Sequence, residues 1–263
     1  MAELVTYLGI GAIAGFYAGL LGIGGGIIIV STLALMFAAH GFPAPYVMHL
    51  AIGTSLAAII FGSLASFRTH HRHNAVDWAI AKAMTPGLLA GVLAGAILAR
   101  FVSTAFLKYF FLGFTLFVTA QMVFNLRPKP SRQLPGKGVL SAVALFIGAC
   151  SSLFGGGAAA IGVPFLTWCN VGAHRAIGTV AAMGFPLSIA GAIGYVIAGW
   201  NAKDLPPWSV GFVYLPAFVG ISITSVLVAP WGARLAHRLK GATLRRIFAI
   251  FLVLMGVKVA VSV

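Results

Sequence analysis

Two sets of residues in this chain have types and spacing suited to chemistry, and each set occurs twice. Leu21-Gly22-Ile23-Gly24-Gly25-Gly26 and Leu153-Phe154-Gly155-Gly156-Gly157 both place three glycines inside an apolar run. Glycine lets the backbone turn tightly and lets a ligand approach exposed N–H groups. A helix starting at such a point adds roughly half a positive charge. That combination suits an anion. The second set is His49-Leu50-Ala51-Ile52-Gly53-Thr54 and its partner His174-Arg175-Ala176-Ile177-Gly178-Thr179. Each copy offers an imidazole at a helix start and a hydroxyl one or two turns deeper, with Ser55 as a further hydroxyl in the first. The candidate substrate-binding residues are therefore Gly24, Gly25, Gly26, His49, Thr54 and Ser55 in the first half. In the second they are Gly155, Gly156, Gly157, His174, Arg175 and Thr179. Arg175 stands where the first copy has Leu50, placed to draw anions to a helix mouth. Each feature also has a plainer reading: tight turns for the glycines, capping for the histidines, interhelical hydrogen bonds for the hydroxyls and a topology charge for Arg175.

The acids narrow the choice by their scarcity. Glu3, Asp77 and Asp204 are the only three, and all fall at termini or loops. No carboxylate sits mid-membrane, so neither a cation site nor a carboxylate proton relay can be built. Zinc-protease, rhomboid-like and other carboxylate-dependent enzyme readings fall with it, and the chain is not expected to be an enzyme. Proton coupling, if present, falls to histidine. His70, His71 and His73 lie in a basic loop and read as solvated, so no metal and no cofactor is expected.

These residues must be positioned by a membrane fold. The chain of 263 residues is 60% hydrophobic and only 8% charged, with mean hydropathy +1.04, values a soluble domain of this size does not sustain. Three consecutive glycines cost a helix about 1 kcal/mol each relative to Ala. A lipid-exposed break would leave backbone groups without partners. Breaks at membrane depth must be buried in protein or line a cavity.

Each half reads as five apolar elements, roughly 4–21, 25–39, 46–67, 78–100 and 105–125, then 138–153, 158–169, 176–199, 208–230 and 244–262. The first two of each half are short and joined by glycines, as in a hairpin or a broken helix pair. The glycine triplets match at an offset of 131 residues and the Ala-Ile-Gly-Thr segments at 125. This organisation gives an N-terminal repeat (1–125), a basic linker (126–137) and a C-terminal repeat (138–263). Gly11-Gly15-Gly19 and Gly87-Gly91-Gly95 keep the spacing of helix-packing faces. Pro86 and Pro216 are expected to kink matching helices.

Net charge +14 comes without aromatic-basic interleaving, so no nucleic-acid partner is expected. The charges instead cluster at Arg68 and Arg72, at Arg127, Lys129, Arg132 and Lys137, and at Arg234, Arg238, Lys240, Arg245 and Arg246. By the positive-inside rule those loops face the cytoplasm, beside anionic lipid head groups. The two halves then have opposite orientations. Only Arg100, Lys108, Lys203 and Lys258 fall outside. Inverted repeats with interrupted segments at matching positions point to a secondary transporter with a midplane site. The expected fold is an all-α integral membrane protein of two inverted-topology repeats, each starting with a Gly-broken hairpin. Met-Ala-Glu-Leu lacks a basic n-region, so no cleaved signal peptide is expected. Cys150 and Cys169 lie in or beside apolar segments, where a structural disulfide is not expected.

The Gly-Ile-Gly-Gly-Gly segment at 22–26, Phe-Gly-Gly-Gly at 154–157 with Val163-Pro164 after it, and the two Ala-Ile-Gly-Thr segments together resemble the sulfite exporter TauE/SafE family (TSUP). The resemblance runs from about 4 to 260. It implies a bacterial inner-membrane transporter of sulfite or small organosulfonate anions, often an exporter. The chain departs from the family pattern at Ser31, where a proline often follows the first triplet. The partners expected are a small sulfur-containing anion and the lipid bilayer, with a homodimer as one open assembly. Rival readings are an anion channel using the same site, a transporter of another small oxyanion or carboxylate, and a structural subunit of a larger complex.

Overall fold

Ten α-helices account for nearly all of the regular structure in a computed structural model that describes residues 2–21, 25–124, 131–236 and 241–262. In chain order they are α1 (Ala2–Leu21), α2 (Gly26–Ala39), α3 (Val47–Arg72), α4 (Trp78–Ala99), α5 (Thr104–Val123), α6 (Lys137–Phe154), α7 (Ala159–Trp168), α8 (Ala173–Gly199), α9 (Leu215–Ala236) and α10 (Gly241–Ser262). A two-stranded antiparallel ribbon, β1 (Ser209–Val210) and β2 (Val213–Tyr214), leads into α9. Among the described residues, five helical stretches are long and apolar enough to cross a bilayer, and five further apolar stretches are shorter. The protein is an all-α integral membrane protein.

Local chemistry sets most boundaries. The Asp77 carboxylate caps α4 by accepting from the N–H groups of Ala79 (3.1 Å) and Ile80 (3.2 Å), and Ser103 caps α5 by accepting from Phe106 N–H. Gly155 ends α6 in the left-handed region (φ 83°), with Gly156 N–H donating back to the Ser151 carbonyl at 2.9 Å. Two boundaries differ from expectation. Helix α3 continues to Arg72 and takes in half of the expected 68–77 loop, its last turns packing Phe67 and His71 against Trp78. Helix α9 begins at Leu215, after the ribbon that occupies 209–214. Pro216 therefore lies in the first turn of α9, where a missing N–H is harmless, whereas Pro86 sits inside α4.

The helices pack in reciprocal pairs. Gly11 and Gly15 bring α1 against the backbone of Ile221 and Ser225 on α9. Gly87 and Gly91 bring α4 against Ser141 and Leu145 on α6. A methyl at any of these four glycines would run into neighbouring backbone, as close-packing helices require. Both pairs run parallel, since residue numbers rise together along each contact. So do α3 with α9 (Thr54 to Tyr214, Phe61 to Phe218) and α8 with α4 (Thr179 to Asp77, Gly194 to Ala96). Helices α3 and α8 run antiparallel: Gly53 lies near Tyr195, Leu56 near Gly191 and Ser63 near Ser188. Ser63 and Ser188, the same offset of 125 apart as the Ala-Ile-Gly-Thr segments, meet at 3.1 Å between hydroxyls. The buried core runs along this central pair and includes Leu50, Ile52, Leu56, Met183, Leu187 and Tyr195.

Candidate functional site

The glycine breaks converge. Gly26, at the start of α2, lies against the turn that ends α6, so that a Cβ added to Gly26 would sit 2.5 Å from the Gly155 carbonyl oxygen. Gly155 faces Val30 of α2 and Ser55 of α3, and Gly156 faces Ile59. Gly155, Gly156 and Gly157 all hold positive φ (83°, 107° and 110°), as does Gly25 (63°). Glycine adopts such conformations at no steric cost, and at φ 107° and 110° other residues are strained. Gly24 lies outside the described residues. Helix α7 has 10 residues, about 15 Å of rise, half of a hydrocarbon core about 30 Å thick. At the start of α2 the Ile28 and Ile29 N–H groups donate to the Gly25 carbonyl, both at 3.1 Å. In the first turn of α7 the Ala160 N–H donates to the Gly157 carbonyl at 2.9 Å. Helix α2 begins at this meeting point, and α7 follows Gly157.

Ser55 ties the two breaks together. Its side chain is fully buried, and its hydroxyl donates toward both the Gly26 carbonyl (3.2 Å) and the Gly155 carbonyl (3.1 Å). One hydroxyl proton cannot fully satisfy both acceptors. Val180 occupies the matching place in the second half, where it packs on Gly162 of α7. The α3 hydroxyl at the centre therefore has no counterpart on α8.

The other predicted residues are placed differently. Thr54 and Thr179 are fully buried, and each accepts a backbone N–H from the segment leading into the other half's fourth helix. Tyr214 N–H donates to Thr54 and Asp77 N–H donates to Thr179, both at 2.9 Å. The glycine before each threonine, Gly53 or Gly178, admits the backbone of the same segment, at Phe212 or Ala75. The Ala-Ile-Gly-Thr segment is thus a docking notch, used once in each half. His49 is buried, with Nε2 against the carbonyls of Ala99 (2.9 Å) and Val102 (3.2 Å). Two acceptors around one nitrogen assign the proton to Nε2, and the ring pins the α4–α5 corner. His174 and Arg175 are exposed at the start of α8. The structure does not bring them to the glycine centre.

Ser151 was absent from the sequence-based candidates. Its hydroxyl is fully buried with no hydrogen-bond partner, in the last turn of α6 beside the glycines. A serine pair just before a glycine triplet was the available signal, masked by the frequency of Ser in helix-packing faces.

With this geometry in place, the whole-chain match is decisive: residues 7–259 match the family described as sulfite exporter TauE/SafE. The chain belongs to that family. It is similar to a probable membrane transporter protein of Haemophilus influenzae, 33% identical over 253 residues covering 94% of each chain. A probable membrane transporter protein of Methanocaldococcus jannaschii is 24% identical, over 94% of this chain and 91% of its own. The probable membrane transporter protein YdhB of Bacillus subtilis is 29% identical, over 81% and 87%. No solved structure matches the chain. This TauE/SafE protein is a multi-pass membrane transporter and not an enzyme.

Away from the glycine centre, this TauE/SafE chain holds a polar cavity of about 370 Å³ between Asp77, Gln133, Asn170 and Arg175. Ser131 and Arg132 close one side by docking on the end of α7. Both backbone N–H groups donate to the Trp168 carbonyl at 3.2 Å, and the Arg132 guanidinium lies 5.5 Å from the Trp168 ring centroid. Arg127, Lys129, Arg238 and Lys240 lie outside the described residues. Among those described, no three His, Cys, Asp or Glu converge to hold a metal, and Cys150 and Cys169 are free thiols.

Proposed function

We propose that the protein carries sulfite or a small organosulfonate anion by alternating access, with the substrate held where the two glycine breaks meet. The observation that carries this reading is Gly26 lodged against Gly155 with Ser55 hydrogen-bonded toward both. The start of α2, with its positive dipole end, lies at this buried point, and α7 starts just after the second triplet. A sulfur oxyanion has several acceptor oxygens and suits such convergent donors. The donors proposed are the amides near Gly25, Gly26 and Gly157 and the partnerless hydroxyl of Ser151, joined by the Ser55 hydroxyl and the Gly156 N–H when these leave the carbonyls they hold in this state. Gly24 belongs to the same run. His49, Thr54 and Thr179 act by holding the frame, and His174 and Arg175 attract the anion at a mouth of the pathway.

The reading includes two inverted repeats, 1–125 and 138–263, rocking about the Ser63–Ser188 contact. Antiparallel α3 and α8, with reciprocal parallel pairs α1–α9 and α4–α6, support that relation, because equivalent helices meet head to tail only when the halves are inverted. This reading keeps the basic segments expected from the sequence, 68–77, 126–137 and 232–246, on the cytoplasmic side. An inside-negative membrane potential then favours anion exit, so export is the natural direction. Gly155 and Gly156 are buried, which in this reading corresponds to a closed state of the cycle.

The test is uptake into proteoliposomes of labelled sulfite, sulfoacetate, taurine and thiosulfate, beside a Gly156→Val variant. A Val side chain there meets Ile59 Cδ1 from a backbone of φ 107°. Saturable flux with counterflow, abolished in the variant, is expected. Unitary currents would instead identify a channel, and unaltered flux in Gly156→Val would remove the glycine site.

A further inference from the structure

We propose that the groove between α3, α4 and α8 is a binding site for an anionic phospholipid, with an acyl chain in the groove and the head group on Lys82. The groove has a volume of about 460 Å³ and is lined by Phe67 of α3, Trp78, Ala81 and Pro86 of α4, and Met183 and Pro186 of α8. Its lining is almost wholly apolar, and Lys82 is the one charged side chain in it. In a helix that spans the membrane, an exposed ammonium reaches for the interface while its stem stays among apolar groups. Trp78 stands one turn before Lys82, packed edge-on to Phe67 (6.1 Å) and His71 (5.5 Å). This is the amphipathic aromatic that marks head-group depth. Arg68 and Arg72, both exposed, lie at the same end on α3. Asp77 is the one acid in this neighbourhood, and its carboxylate is engaged by Ala79 and Ile80 N–H. The local field is therefore positive, and basic pockets between membrane helices recruit acidic head groups.

The matching place in the other half shows that the fold can close this groove itself. Pro186 corresponds to Phe61 at the offset of 125. Phe61 stacks on Phe218 of α9 at 6.4 Å, and Ala57, Ala192 and Val213 form a packed cluster with Ile60, Val196 and Phe218. There the chain supplies its own apolar filler. On the α4 side it supplies prolines and a lysine and leaves the space open. Because the groove is walled by α3 and α4 from one half and α8 from the other, a lipid in it bridges the two halves.

The experiment is native mass spectrometry of the purified full chain exchanged with a palmitoyl-oleoyl phosphatidylglycerol and phosphatidylcholine mixture. Wild type should retain phosphatidylglycerol in preference. Lys82→Gln should cut that preference about fivefold, the size expected of one juxtamembrane cation. Ala182→Phe, which fills the groove wall, should lower retention of both lipids. Lys82 is exposed, so the first variant tests the head-group contact even if Ala182→Phe fails to fold. As a second readout, phosphatidylglycerol with brominated acyl chains should quench part of the tryptophan fluorescence, and Trp78→Phe should remove that part. Equal retention of the two lipids by wild type, undiminished preference in Lys82→Gln, or unchanged quenching in Trp78→Phe would overturn the site.

Discussion

Replacing Gly26 by Ala tests the contact on which the transport reading rests. The new Cβ would lie 2.5 Å from the Gly155 carbonyl oxygen, whereas ordinary contact begins at 3.4 Å. The two breaks must then part by about 0.9 Å, and neither side can yield by rotating a side chain, because both are backbone. Overpacking of this kind costs about 1–3 kcal/mol. Parting the breaks also stretches the Ser55 hydroxyl away from one of its two carbonyls, at 3.2 and 3.1 Å, leaving a buried acceptor short of a partner. If that cost falls on the closed state through which substrate passes, transport slows by roughly 5- to 150-fold, since each 1.36 kcal/mol is tenfold in rate. The assay is initial uptake of labelled sulfite into proteoliposomes at matched protein content. Thermal unfolding of the same preparation and of Gly11→Ala, a packing change distant from the centre, are run beside it. Gly11→Ala should lower stability while flux per folded molecule stays near wild type. A folded Gly26→Ala protein with wild-type flux would refute the reasoning. So would equal losses of flux per folded molecule in both variants.

Thr54→Val and Thr179→Val should each lower stability by about 1–3 kcal/mol, because each orphans one buried N–H. The two effects should add, since the notches sit at opposite ends of α3 and α8 with no shared partner, and Thr→Ser should restore most of either loss in thermal unfolding. Gly91→Leu should separate α4 from α6, lowering the yield of folded protein on size exclusion, because its side chain would enter the Leu145 backbone. After Cys150→Ala and Cys169→Ala, single cysteines at Asn74 and at Lys203 should label from opposite faces of the membrane with an impermeant maleimide. Labelling from one face would overturn the antiparallel α3–α8 arrangement as a transmembrane one.

Much of the fold is legible in the chain. Composition requires a membrane protein, and glycine runs mark where helices stop, because glycine takes up the positive φ values found at 25 and 155–157 at no steric cost. The spacing Gly11-Gly15 and Gly87-Gly91 announces close helix faces without naming partners, and those partners are α9 and α6. Less was legible at the site. His49 and His174 are equivalent in sequence, yet one is buried against the α4–α5 corner and the other is exposed. The difference lies in which segment covers each helix start, which no local pattern encodes. Thr54 and Thr179 read as donors facing a lumen and prove to be acceptors for loops brought in from the other half.

The sequence by itself determined that this is a multi-pass membrane chain, and it repeats the glycine-triplet and Ala-Ile-Gly-Thr segments. It also excluded intramembrane acids and so turned the glycine breaks toward anions. Those conclusions follow from residue type and spacing, which act locally through helix propensity, desolvation and charge. Only the tertiary structure decided that the two breaks touch and that Ser55 is the hydroxyl shared between them. The same holds for the groove beside Lys82, left open while its counterpart is filled by Phe61 and Phe218. Apart from Ser55–Gly26, 29 positions apart, these contacts join residues a hundred or more positions apart and are set by how distant helices pack. No local pattern carries that information.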